Sequence, residues 1–160
     1  MPDRKKIVEI RHFKMKFGNK TVIKDLSFDV FQGEVFGFLG SNGSGKTTTL
    51  RALLGLYEPT AGELLIDGKP YAVDSQINLG YLPEERGLYK KEKVLDVMIY
   101  FGQLKGLSRD EAKEFSLNFL KRVDLTDKAG MRLDKLSGGQ QQKIQLGVTI
   151  MGDPELLIMD

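Results

Sequence analysis

The sequence predicts an α/β fold with a parallel core sheet, antiparallel strands ahead of it and a helical part inserted within it. An apolar run at residues 35–39 leads through a glycine-rich stretch into a helical pattern. Apolar residues alternate with polar ones early in the chain and recur at helical spacing from residue 94 onward. A second apolar run, residues 156–159, is followed by an aspartate. This pattern is typical of a strand buried within a parallel sheet.

The antiparallel part consists of three predicted strands. Residues 7–15 alternate in the way typical of a half-buried strand, and a turn at 18–20 leads into a second extended run at 21–31. These two strands should pair antiparallel. A third strand is predicted at 63–66, between two turns. We therefore assign residues 1–34 and 60–75 to an antiparallel part.

The helical part begins where the periodicity changes. Ser108 and Glu111 form an S-x-x-E capping box, which predicts the start of a helix. Apolar side chains then mark its buried face: Ala112, Phe115, Phe119, Leu120 and Val123. The chain is thereby divided into core segments at 35–58, 76–87 and 152–160 and an inserted helical part at 88–151. The strands at 35–39 and 156–159 should both be buried on their two faces.

A phosphate-binding loop is predicted between the first core strand and the helix after it. Gly40 to Thr47 reads G-x-x-x-x-G-K-[ST], whose glycines let backbone N–H groups surround a polyphosphate at a helix N-terminus. Lys46 would reach the β- and γ-phosphates, and the Thr47 hydroxyl suits Mg²⁺. The fold class is therefore that of a P-loop NTPase. The predicted nucleotide-binding residues here are Gly40, Ser41, Asn42, Gly43, Ser44, Gly45, Lys46, Thr47 and Thr48.

Two later stretches present further groups suited to a nucleotide. Ser137 is a natural N-cap for a helix predicted from Gln140 to Met151, whose inward face carries Ile144 and Val148 besides Met151. The glycines after Ser137 leave backbone N–H groups bare, although an ordinary loop-to-helix join explains the stretch equally well by itself. Asp160 follows the last core strand, where ligands of parallel sheets bind, and would hold Mg²⁺ through a water molecule.

Three stretches resemble the motifs of ATP-binding cassette (ABC) proteins in their order and spacing. The phosphate loop resembles the Walker A motif, Leu136–Gln140 the signature motif and Leu156–Asp160 the Walker B motif. The resemblance implies one ABC nucleotide-binding domain, residues 1–160, that binds ATP with Mg²⁺ and forms a head-to-tail dimer with a second such domain. It implies that Phe17 stacks on adenine. It also implies that the signature contacts the nucleotide of the partner domain through Ser137, Gly138, Gly139 and Gln140.

The stretch Leu79–Tyr89 resembles the ATP-binding subunits of bacterial ABC-2 type exporters, including the sodium- and drug-extrusion branch. This implies a membrane subunit that inserts a cytoplasmic helix near residues 84–93, and a cytoplasmic location on the inner face of the plasma membrane. Glu84 stands where most cassettes have a glutamine that binds Mg²⁺. The implied catalytic residues are Lys46, Glu84 and Asp160, and the implied metal ligands are Thr47, Glu84 and Asp160.

The family places a catalytic glutamate directly after the Walker B aspartate, and this chain stops at Asp160. We therefore expect an incomplete domain that binds MgATP and hydrolyses it poorly. The alternatives are an ABC ATPase of translation or DNA repair, and a nucleotide-dependent interaction module. The 24 basic and 22 acidic residues argue against a nucleic-acid partner, the apolar runs are too short for insertion into a membrane, and the absence of cysteine suits a reducing cytosol.

Overall fold

The computed structural model describes residues 4–71, 77–85 and 87–160. The chain forms two compact units. The first takes in the chain up to Ile77 together with Asp160, and the second is Asn78–Met159. Residues 72–76 and Arg86, which belong to the predicted antiparallel and core segments, lie outside the described residues. The predicted division of the chain into segments stays a prediction.

The first unit is built on a three-stranded antiparallel sheet in the order β2-β1-β3. The strands are β1 (Lys6–Phe17), β2 (Lys20–Phe31) and β3 (Ala61–Ile66), and the helix α1 (Lys46–Leu53) belongs to the same unit. The three predicted strands are confirmed, each somewhat longer than its pattern indicated. Ile10, Phe13 and Met15 of β1 are fully buried and form the centre of this unit.

The predicted core strand at 35–39 is wrong for the described structure. These residues have no strand assignment, and the side chains of Val35 and Leu39 are 101% and 91% exposed. A strand needs hydrogen-bonded neighbours, and none of the described strands pairs with this run. The run instead contacts β2, where Phe36 stacks on Phe28 with ring centroids 4.9 Å apart.

The second unit combines three helices with a pair of parallel strands. β4 (Leu79–Leu82) pairs with β5 (Leu156–Met159) in parallel register. The helices are α2 (Val94–Leu104), α3 (Arg109–Arg122) and α4 (Gly138–Ile150), with 3₁₀ turns at Thr126–Lys128 and Leu133–Lys135. None of the described helices is long and apolar enough to cross a membrane. With the antiparallel sheet, these elements confirm the predicted α/β class.

Both helix starts predicted from serine are confirmed. Ser108 caps α3 in the predicted box with Glu111, whose backbone N–H lies 3.2 Å from the Ser108 hydroxyl oxygen. Ser137 caps α4, which begins two residues before the predicted Gln140. The helices pack closely where glycine faces a neighbour, since a Cβ on Gly147 would lie 2.5 Å from the Phe119 ring.

The prediction that 156–159 is buried on both faces is wrong. Within β5, Ile158 is buried, whereas Leu157 and Met159 are 38% and 60% exposed. The strand therefore has one covered face, because alternate side chains of a strand point to opposite sides. The inward face predicted for α4 is confirmed, with Ile144, Val148 and Met151 all buried.

Candidate nucleotide-binding site

The glycines of the phosphate loop adopt backbone angles that other residues avoid. Gly43 and Gly45 have φ of 79° and 97°, in the left-handed region. The Ser44 N–H donates to the Ser41 carbonyl at 3.1 Å and so closes a tight turn between them. Gly45 caps α1, and a Cβ at this position would lie 2.3 Å from Ile23 Cδ1. The loop therefore lies against β2 at a point where a Cβ would press on the Ile23 side chain.

Lys46 closes the loop from the other side. Its ammonium nitrogen donates to the carbonyl oxygens of Gly40 at 2.7 Å and Ser41 at 3.0 Å. A Cβ on Gly40 would lie 2.7 Å from the Ser44 hydroxyl oxygen, so the two ends of the loop approach each other closely. The loop residues 40–44 are exposed at their surface, while Gly45 beneath them is buried. The lysine charge is thus held at an accessible loop beside the positive end of α1.

Thr47 and Asp160 meet within the first unit. The Thr47 hydroxyl donates to the Asp160 carboxylate at 3.0 Å across 113 residues of sequence. Both groups are hard oxygen ligands, and Mg²⁺ in nucleotide sites commonly takes only one or two protein oxygens, the rest coming from phosphate and water. Among the described residues there is no cluster of three or more His, Cys, Asp or Glu side chains that could hold a metal ion. The sequence had named both residues as metal ligands without predicting this contact between them.

Phe17 lies at the end of β1 and is 47% exposed. Its ring packs edge-on against Tyr57, with centroids 5.4 Å apart. The Tyr57 hydroxyl in turn accepts a hydrogen bond of 3.3 Å from Arg51 of α1. An exposed aromatic face next to a second ring suits stacking on a base. Sequence reasoning missed Tyr57, because it lies forty residues from Phe17 and no local pattern connects them.

The signature residues open α4 in the second unit. The Ser137 hydroxyl accepts from the Gln140 N–H at 3.3 Å, and the Gln140 side chain accepts from the Ser137 N–H at 2.9 Å. Nothing lies within 4 Å of the place where a Cβ on Gly139 would stand. The first turn of α4 is therefore open to a ligand on this side, with the serine and glutamine engaged in capping one another.

Glu84 follows β4 in the second unit and is exposed. The carbonyls on either side of it are held by a residue that sequence reasoning missed. Gln145 of α4 is only 5% exposed, and its amide nitrogen donates to Pro83 O at 3.3 Å and to Glu85 O at 3.0 Å. No local sequence pattern marks Gln145, because its partners lie some sixty residues away and are brought to it only by packing.

Because a glycine-rich loop that opens a helix, a lysine folded over it and a threonine–aspartate pair occur together, the first unit has the build of the P-loop proteins. Comparisons with known proteins narrow this class. The model of the family described as ABC transporter matches residues 23–160. The chain belongs to the ABC transporter family.

Relatives and solved structures agree with this assignment. An uncharacterized ABC transporter ATP-binding protein of Methanocaldococcus jannaschii is 39% identical over 153 residues, which cover 96% of this chain and 55% of the relative. The Nod factor export ATP-binding protein I of a Rhizobium species is 36% identical over 156 residues, 96% of this chain and 51% of that protein. A solved ATP-binding subunit of an ABC transporter matches 96% of this chain and 65% of its own with a TM-score of 0.85 and 26% identity. The chain spans about half the length of these curated relatives.

Proposed function

We propose that this chain binds MgATP as the nucleotide-binding part of an ABC exporter subunit. The observation that carries the proposal is the phosphate loop, with Lys46 folded over its carbonyls and Thr47 paired with Asp160. A triphosphate would take the place of the two loop carbonyls as the partner of the Lys46 ammonium. This exchange needs only side-chain rotation, since the lysine already lies at the loop.

The other groups of the first unit have matching roles. The backbone N–H groups of residues 43–48 would bind the phosphates, because successive N–H groups at a helix N-terminus favour anions. Thr47 and Asp160 would hold Mg²⁺, the aspartate through a water molecule, and the ion would neutralise charge on the β- and γ-phosphates. Phe17 would stack on the adenine ring, with Tyr57 supporting it from the side.

The second unit supplies two further groups to the proposed function. Glu84 would offer a carboxylate oxygen to Mg²⁺ in the role for which most cassettes use glutamine. The signature residues at the start of α4 would bind the γ-phosphate held by a second nucleotide-binding domain in a head-to-tail dimer. The open first turn of α4 supports this contact, because its N–H groups and dipole favour an anion.

The partner that we propose is the membrane subunit of an exporter of the ABC-2 type. Support comes from the likeness to the Nod factor export protein and from a cleft of about 350 Å³ in the second unit. This cleft is lined by Tyr89, Glu92, Asp96, Val97 and Tyr100. Two aromatic rings beside two carboxylates would suit an amphipathic helix that carries a basic residue. ATP-driven dimerisation would then be coupled to transport, and the chain would lie at the cytoplasmic face of the membrane through this partner.

A second candidate function is a soluble ABC ATPase that acts in translation or DNA repair. Retention on ribosomes or DNA would favour it, and retention by a membrane subunit would favour the exporter. The expectation that the 160-residue chain hydrolyses ATP poorly stays a prediction, which steady-state phosphate release from the purified chain would check.

The test of the proposed site is the dependence of ATP affinity on Mg²⁺. Calorimetric titration of the chain with ATP, in MgCl₂ and in EDTA, should show affinity about tenfold or more higher with Mg²⁺. Thr47→Val keeps the shape of the side chain and removes the oxygen, so it should abolish most of this gain. The titrations in EDTA are the control, because there the two proteins should bind ATP equally. An unchanged Mg²⁺ gain in the variant would contradict the site.

A further inference from the structure

The side-chain amide of Gln145 bridges the two sides of the Glu84 loop. Its nitrogen carries two hydrogens and has two acceptors, Pro83 O at 3.3 Å and Glu85 O at 3.0 Å. Both hydrogens of that nitrogen are therefore donated to the carbonyls that flank Glu84. The glutamine is 5% exposed, so these bonds are shielded from competing water.

A second contact fixes the same helix to the strand that leads into this loop. A Cβ on Gly80 of β4 would lie 2.8 Å from the carbonyl oxygen of Thr149, one helical turn beyond Gln145 on α4. The helix thus touches β4 at Gly80 and holds the loop after it through Gln145. Two contacts on successive turns fix both the position and the direction of the loop relative to the helix.

We propose that Gln145 is a positioning residue, which holds the loop at 83–85 so that the Glu84 carboxylate is presented in one orientation. The proposal rests on the function proposed above for Glu84 as a ligand of the Mg²⁺ that accompanies ATP. Glu84 itself is exposed, and an exposed side chain on an unanchored loop would sample many positions. The bonds from Gln145 act on the backbone and leave the carboxylate free to bind. Because α4 begins with the signature, the helix proposed above to face a second nucleotide-binding domain would also position the Glu84 loop.

The test compares Gln145→Met with a matched control. Methionine has nearly the shape of glutamine and no hydrogen-bond donor. The control is Thr149→Val on the same helix. It removes the buried hydrogen bond of 2.8 Å that the Thr149 hydroxyl donates to the Gln145 backbone carbonyl. This bond does not involve the loop at 83–85. Both variants should lose similar stability, so that a loss of stability alone cannot explain a difference between them.

Two measurements are made on each variant of the full 160-residue chain. The first is the ¹⁵N-relaxation order parameter of the Glu84 and Glu85 amides measured by NMR, which reports how firmly the loop is held without any ligand. Gln145→Met should lower this order parameter from about 0.85 to about 0.6 or below, and Thr149→Val should leave it unchanged. The second is the Mg²⁺ concentration that gives half the full ATP affinity. Gln145→Met should raise it about threefold to tenfold, again with no change in the control.

The double variant Glu84→Ala, Gln145→Met decides whether the effect acts through Glu84. We expect it to match Glu84→Ala alone. Unchanged order parameters in Gln145→Met would overturn the proposal. A rise in the Mg²⁺ requirement that persists without Glu84, or that occurs equally in Thr149→Val, would also overturn it. Should Glu84→Ala leave the Mg²⁺ requirement unchanged, the positioning role is overturned while MgATP binding stands. A wild-type chain that binds no MgATP would overturn the proposed function, and with it the role assigned to Gln145, whatever the order parameters show.

Discussion

At the scale of single residues, the phosphate loop depends on glycine for two different reasons. Gly43 needs its left-handed backbone, with φ of 79°, and has open space around it. Gly45 needs a φ of 97° and also the absence of a side chain, because Ile23 fills the space where a Cβ would stand. The two positions therefore separate the cost of backbone strain from the cost of a steric clash.

Gly45→Ala should destabilise the chain more than Gly43→Ala. Left-handed strain costs about 1–2 kcal/mol at either position, and overpacking a buried site adds about 1–3 kcal/mol. We expect the free energy of unfolding to fall by about 1 kcal/mol in Gly43→Ala and by about 3 kcal/mol in Gly45→Ala. Urea denaturation followed by circular dichroism measures both. Equal losses would mean that Ile23 moves aside and that the contact does not restrict this position.

The residues of the site differ in how far sequence could predict them. The loop, Thr47 and Asp160 are readable, because each stands at a fixed place beside a strand or helix end where parallel-sheet proteins bind ligands. Gln145 and Tyr57 are not, since their partners are defined only after distant elements pack together. The sequence predicted only that Asp160 would lie near the phosphate loop. The 3.0 Å hydrogen bond between Thr47 and Asp160 is seen in the structure alone.

At the scale of elements, two of the three α-helices described in the second unit, α3 and α4, begin at serines whose side chains accept hydrogen bonds from otherwise unpaired backbone N–H groups. The capping box at Ser108 also affects a titrating group. Hydrogen bonds from the side chain and the backbone of Ser108 lower the pKa of Glu111 below the ordinary value for glutamate. A carboxyl with a lowered folded-state pKa stabilises the fold above its unfolded-state pKa, and this contribution disappears as pH falls through the folded-state value.

Glu111→Gln should therefore flatten part of the acid dependence of stability. Glutamine can accept the same bond from the Ser108 N–H, and it does not titrate. Between about pH 5 and pH 3 the thermal midpoint of the wild-type chain should fall further than that of the variant. Every other carboxyl group is common to both proteins, so the difference between the two curves isolates this box. Parallel curves would show that Glu111 is not held in its charged form.

Element prediction succeeded where the signal was local. Alternation and turn residues predicted β1, β2 and β3. The capping box at Ser108 predicted where α3 begins, and the N-cap at Ser137 predicted the start of α4 to within two residues. Burial on two faces could not be predicted in this way. The runs at 35–39 and 156–159 are equally apolar, but their burial depends on which neighbours lie beside them, and apolar composition does not specify neighbours.

At the scale of the whole molecule, the apolar run at 35–39 is the largest departure from expectation. Val35 and Leu39 are almost wholly exposed, whereas a soluble protein usually keeps contiguous apolar surface small. The chain as described should therefore tend to associate through this run when its concentration rises.

Val35→Lys should reduce that association, because a charged side chain in the run opposes contact between apolar surfaces. Sedimentation velocity over a series of concentrations measures the effect. Leu104→Lys is the matched control, since Leu104 is also an exposed apolar side chain, 64% accessible, at the end of α2. Equal improvement by the two substitutions would mean that general charge, and not the run at 35–39, governs association.

The central claim is that the phosphate loop binds ATP, and the most direct test is the MgATP affinity of the chain beside Lys46→Ala. Removing the ammonium from the carbonyls of Gly40 and Ser41 removes the one side-chain charge held at the loop by hydrogen bonds in the described structure. We expect measurable MgATP binding in the wild-type chain and in Lys113→Ala, an exposed lysine of α3, and a loss of about tenfold or more in Lys46→Ala. Equal affinity in all three proteins, or no binding in the wild-type chain, would contradict the account.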